Sequence, residues 1–130
     1  MRTFEIWRNG IDKPVATLAY DVMAREDERW TGGIIPPLGR EHAPVPFRLY
    51  CDRTGETEVD TTVCRLWVEG RIVPRNRQNL GAILKRMGLT YYDPPSILVS
   101  TEGRTDGDEF YVREVDGNDG QGNDDLLAKR

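Results

Sequence analysis

Residues 4–20 read FEIWRNGIDKPVATLAY, and this stretch decides the fold. Phe4 and Ile6, then Val15 and Thr17, alternate along the chain with the period of two that marks a strand with one face on a core. Between the two runs sits Asn9-Gly10, a dipeptide suited to the positive φ angles of a tight turn. The connection through Ile11–Pro14 is longer than two residues, which predicts a bulged or wider loop. The second strand is expected over Pro14–Tyr20. Pro14 is acceptable there because the first position of a strand need not donate to the ladder. The chain therefore opens with a β-hairpin.

Working outward, Phe110–Val115 alternates in the same way and reads as a closing strand. The region between is punctuated by helix caps. Asp60 is a good N-cap for a helix over Thr61–Glu69, Gly70 fits its end, and Val63, Leu66 and Trp67 lie at i, i+3 and i+4. Pro74 forbids a continuous helix across Ile72–Arg77. Asn79 is expected to cap a helix over Leu80–Met87, with Gly88 in the left-handed position and Leu89 making the contact that follows it. Asp93-Pro94 opens a third helix that carries Ile97, Leu98 and Val99 and stops by Gly103. Val45–Cys51 reads as a middle strand, with Val45, Phe47 and Leu49 on one face. Ile34–Pro46, with four prolines, reads as an irregular crossing, and Trp30-Thr31-Gly32-Gly33 as a break. The charged stretch 21–30 lacks apolar periodicity.

Strands and helices that do not alternate βαβ predict an α+β domain. Its small antiparallel sheet comprises the N-terminal hairpin, the middle strand and the C-terminal strand, packed with three short helices. Residues 1–115 form the expected single domain, and 116–130 an acidic, Gly- and Asn-rich disordered tail. The chain has 130 residues, 38 % apolar and 31 % charged, and a net charge of −4, which suits one globular domain and disfavours a global nucleic-acid footprint. Cys51 and Cys64 form no CxxC and read as buried thiols. Neither a signal-type apolar segment nor a run of about 18 apolar residues is present, so a cytoplasmic location is expected.

Phosphate-loop, dinucleotide-binding, serine-elbow and HExxH motifs are absent, and the expectation is no cofactor, no metal and no enzymatic turnover. His42, the sole histidine, reads as a solvent-facing bystander in a loop. The acidic clusters Glu26-Asp27-Glu28 and Asp106 with Asp108-Glu109 read as a solvated face and a turn. Against that background Trp67–Arg77, WVEGRIVPRNR, stands out. It lies in a segment, Arg65–Arg86, with six basic residues against Glu69. Trp67, Arg71, Arg75 and Arg77 are the candidate partner-binding residues, because Arg and Trp are enriched at binding hot spots and Arg recognises carboxylates and phosphates through two donors at once. The alternative stays open that Trp67 is core and that one arginine pins a helix end or pairs with the second acidic cluster.

These pieces, taken in order, resemble the N-terminal subdomain of HipA-like serine/threonine kinases of bacterial toxin–antitoxin systems. The resemblance is carried by Ile6-Trp7-Arg8-Asn9-Gly10, Val15–Asp21, Pro44-Val45-Pro46-Phe47, Leu66-Trp67 through Pro74, Lys85–Leu89, Asp93-Pro94, Gly103-Arg104 and Phe110–Val115. Ala16 stands where the family has Gly, and Asp108-Glu109 where it has Gly-Ala. The resemblance implies a non-enzymatic regulatory module that binds a kinase or a helix-turn-helix protein. Two other functions remain open: a phage or mobile-element inhibitor of a host defence protein, and a binder of nucleic-acid backbone through Arg65–Arg86.

Overall fold

The computed structural model describes residues 1–22 and 28–115. Residues 23–27 of the charged 21–30 stretch and the whole acidic tail lie outside the described residues. Five strands, β1 (Arg2–Arg8), β2 (Ala16–Val22), β3 (Glu28–Ile34), β4 (Glu58–Val59) and β5 (Phe110–Val115), form one antiparallel sheet in the order β4-β3-β2-β1-β5. Among the described residues five helices accompany it: α1 (Leu38–His42), α2 (Val45–Thr54), α3 (Thr61–Glu69), α4 (Leu80–Arg86) and α5 (Pro94–Ser100). The α+β expectation holds, with five helices in place of three.

The hairpin forms as its pattern requires. Phe4 pairs with Leu18 and Ile6 with Ala16, and Gly10 takes φ 88° in the turn. The second strand starts two residues later than expected. Phe4, Ile6, Leu18, Tyr20, Trp30, Ile34, Phe110 and Val112 share one face and are buried with Phe47, Cys51, Cys64, Val68 and Leu98 from the helices. The alternate residues Thr3, Thr17, Thr31, Arg113 and Val115 are exposed, so the helices cover one face of the sheet only. Both cysteines are free and buried, and burial pushes the Cys64 thiol up to about 12.

Several expectations need correction. Val45–Cys51 belongs to a helix, not to the middle strand. Val45, Phe47 and Leu49 do alternate, but Phe47 and Cys51, four apart, are buried while Val45 and Leu49, four apart, are exposed. Pro46 sits in the first turn, where its missing N–H costs nothing, and Gly55 closes the helix at φ 77° by donating to the Cys51 carbonyl. The middle strand is β3, which contains the apparent break at Gly32-Gly33. These glycines allow close approach rather than a turn. A Cβ on Gly32 would lie 2.4 Å from the Thr17 carbonyl oxygen and 3.3 Å from the Cys64 sulfur. Finally, the expected irregular crossing contains α1, which brings half-buried His42 to 3.4 Å from an Arg8 nitrogen.

The three expected caps differ. Asp60, at φ −56° and ψ 144°, accepts from the Thr62 N–H. Asn79 has φ 63°, not the extended geometry of a capping side chain, and its side chain caps nothing. Asp93 turns its carboxylate to Ser96 Oγ and Arg2 rather than to a backbone N–H. At the other end of α4 the Gly88 N–H donates to Lys85 and the Leu89 N–H to Leu84, with Gly88 at φ 79°, as the sequence predicts. Among the described residues, no helix is long and apolar enough to cross a membrane.

Candidate functional site

The sequence of α3 supports two apolar faces, and the sheet uses only one. Cys64 and Val68, four apart, are buried, and α3 packs on β3 where Gly32 offers no side chain. The stripe that the sequence picks out, Val63, Leu66 and Trp67, is rotated away from that contact. Leu66 is 56 % exposed, and Val63 and Trp67 are half-buried. Across from it, α2 presents Val45, 52 % exposed, at its N-terminal end. Leu49, one turn on from Val45, continues the apolar face of α2 at 62 % exposed.

Val45, Pro46, Val63, Leu66 and Trp67, together with Phe110 and the 105–108 turn, enclose a groove of about 710 Å³. Trp67 is fixed in it by aromatic contacts on two sides. Its ring centroid lies 5.8 Å from Phe47 and 6.5 Å from Phe110.

Arg71 closes one end of the groove. Its guanidinium lies 3.9 Å from the centroid of the Trp67 ring, donates to the Gly103 carbonyl at 2.7 Å, and forms an ion pair with Asp108. The side chain is only 4 % exposed. Burial lowers the affinity of this guanidinium for its proton, and the Asp108 charge acts against that loss. The pair fixes the turn before β5 to the end of α3. Arg71 is therefore a structural pin that neutralises Asp108, the open alternative from the sequence, and its donors point into the protein.

The other candidates are dispersed. Arg75 stacks on the opposite side of this region, 4.2 Å from the centroid of Tyr92, and lines a separate cavity with Trp30. Arg77 is exposed on the turn between α3 and α4, and Arg65 pairs with Glu69 at 3.2 Å. The basic segment thus does not form one surface with Trp67. Of the four named residues, the structure joins Trp67 and Arg71 only. The sequence reading did not single out Val45, Leu49 or Leu66 as surface residues. The signal was present in the i, i+4 pair Val45/Leu49, hidden by the strand assignment.

Among the described residues, no group of three or more His, Cys, Asp and Glu side chains is placed to hold a metal ion. No family model, curated protein or solved structure matches this chain.

Proposed function

We propose that the chain is a non-enzymatic regulatory module that binds another protein, and that the groove between α2 and α3 receives an amphipathic helix of that partner. The observation that carries this reading is the second apolar face of α3. A helix with Leu66 exposed and Val63 and Trp67 only half-covered by the core, beside the exposed Val45 on α2, leaves apolar surface in water, at a cost of roughly 25 cal/mol per Å². A partner helix with apolar residues at i, i+3 or i+4 and i+7 supplies matching anchors. The internally neutralised Arg71–Asp108 pair at the groove end suits an apolar rather than a charged anchor. The resemblance of the sequence segments to the N-terminal subdomain of HipA-like kinases favours a kinase of that type as the partner. Backbone recognition of nucleic acid finds less support, since Arg71 and Arg75 are stacked on rings at separate places.

The test is affinity capture from native lysate with the wild-type chain and with Leu66→Asp in parallel. Leu66 is exposed enough for this change to leave the fold intact, which circular dichroism checks. A stoichiometric protein held by the wild type and lost from a folded Leu66→Asp supports the groove. Its identity as a kinase supports the finer reading. A partner held equally by both proteins refutes the groove, and no partner at all refutes the function.

A further inference from the structure

The face of the sheet that the helices leave open carries opposite charges on its two edge strands. The strand registers set Glu58 of β4, Gly33 of β3, Thr17 of β2, Glu5 of β1 and Arg113 of β5 side by side in one row. Glu58 and Arg113 stand at the ends of that row, and β2 is the central strand. Thr17, Glu58 and Arg113 are exposed. Arg113 lies over the Trp7 and Tyr111 rings, 5.5 and 5.3 Å from their centroids. Neither Glu58 nor Arg113 has an ion-pair partner among the described residues. The next row on the same face is Thr31, Ala19, Thr3 and Val115. These short side chains keep the face flat enough for a second sheet to approach to about 10 Å.

A two-fold axis along β2 lays the row on a copy of itself with its ends exchanged. Thr17 then meets Thr17, Ala19 meets Ala19, Thr31 meets Thr3, and Glu58 meets Arg113 twice. An axis across the strands sets β4 over β4 and β5 over β5, like charge on like. The polarity of the sheet thus selects one self-complementary arrangement. Packed sheets cross at about 30°, which moves the row ends apart by about 5 Å, within reach of Glu and Arg side chains. Asp21, also on β2, stands opposite Arg29 of its own copy, which offsets its charge before the copies meet. Strands about 4.8 Å apart, with about 3.4 Å per residue, give this sheet a face of roughly 500 Å². Two such faces bury about 1,000 Å², the lower limit for a specific interface, and this area suits a reversible dimer.

We propose that the open face of the sheet binds a second copy of this chain about a two-fold axis along β2, with Glu58 and Arg113 paired between the copies. The face lies across the sheet from the α2–α3 groove, shares no lining residue with it and does not depend on the docking reading.

Sedimentation of the full chain over about 1–300 µM tests the proposal, and a dissociation constant of about 10–100 µM is expected. Thr17→Lys, at an exposed position, sets two ammonium groups against each other at the centre of the interface. It is expected to fold normally by circular dichroism and to weaken association at least about tenfold. Glu58→Arg and Arg113→Glu each act twice in a two-fold dimer, and each alone is expected to weaken it about tenfold. Mixed in equal amounts, these two variants restore both pairs and are expected to associate about as tightly as the wild type. A chain that stays monomeric at about 300 µM overturns the proposal, whatever else covers the face. So does a dimer that Thr17→Lys leaves intact, a dimer that folded Leu66→Asp abolishes, or a mixture of the two charge-reversed variants that fails to associate.

Discussion

Replacing Asp108 with Ala removes the anion from a guanidinium that is only 4 % exposed and leaves it one carbonyl and one ring. Breaking a fully buried pair from one side costs about 3–5 kcal/mol. Asp108 is itself 35 % exposed, so water reaches the gap, and about 2–3 kcal/mol is expected. Arg71→Met keeps an apolar stem against Trp67 but loses the charge, the stack and the bond to the Gly103 carbonyl. A bond from a charged donor is worth about 1.5–3 kcal/mol and a stack about 0.5–2 kcal/mol. The carboxylate left behind keeps the Phe110 N–H and meets water on its exposed side, which brings the expected loss to about 2–3 kcal/mol. The double variant has no stranded charge and should be more stable than the sum of the single losses predicts, by at least about 1 kcal/mol. Urea unfolding followed by tryptophan fluorescence gives all four corners of the cycle. In thermal unfolding each single change corresponds to about 8–12 °C, at roughly 4 °C per kcal/mol for a chain of this size. The coupling should persist at 0.5 M salt, since a buried pair is poorly screened. Single losses below about 0.5 kcal/mol, or additivity within about 0.5 kcal/mol, would refute the assignment of Arg71 as a structural pin and return it to the pool of recognition residues.

Two further outcomes follow from the fold. Gly32→Ala places a Cβ 2.4 Å from a backbone oxygen of the neighbouring strand, so β2 and β3 must part, and a loss of about 2–3 kcal/mol in chemical denaturation is expected; a variant as stable as the wild type would show that the close approach is not required. The hydrogen bond from Arg2 holds the Glu114 carboxyl below the ordinary glutamate value of about 4.3, so its stabilisation is present above that pH and disappears as pH falls through the depressed value. Glu114→Gln should therefore be less stable than wild type at pH 7, by under about 1 kcal/mol, with the gap closing in acid; a gap that widens in acid contradicts the pairing.

Periodicity made β1, β2 and β5 legible because each buries one face, so Phe4/Ile6 and Phe110/Val112 alternate with exposed or half-buried neighbours. Caps made α3, α4 and α5 legible because Asp60, Gly88 and Pro94 report local backbone geometry. The interior failed where one residue type serves two purposes. Gly32 and Gly33 look like a turn in sequence, and only the packing of Cys64 and Thr57 against them explains a strand. Val45, Phe47, Leu49 and Cys51 fit a strand pattern, and only the burial of Phe47 and Cys51 against the exposure of Val45 and Leu49 separates the helix from it. At the candidate site, Trp67 and Arg71 were legible as an unusual pair, but whether Arg71 faces a partner or Asp108 depends on a turn far along the chain.

The position of β5 has a consequence for how this protein is made. β1 is an interior strand because β2 covers one edge and β5 the other, and Ile6 pairs with Val112, more than a hundred residues later. At bacterial and eukaryotic synthesis rates of about 5–20 residues per second, β1 waits roughly 5–20 s beside the ribosome with one edge open. The β1–β2–β3 meander is local and can assemble during that wait. Joining β5 closes a loop of about a hundred residues, an entropic cost of roughly 4 kcal/mol from the logarithmic length dependence. The nascent chain thus carries an unpaired edge, with Phe4 and Ile6 on it, while about a hundred further residues are made, and that edge is the surface on which chaperones or neighbouring nascent chains would first act.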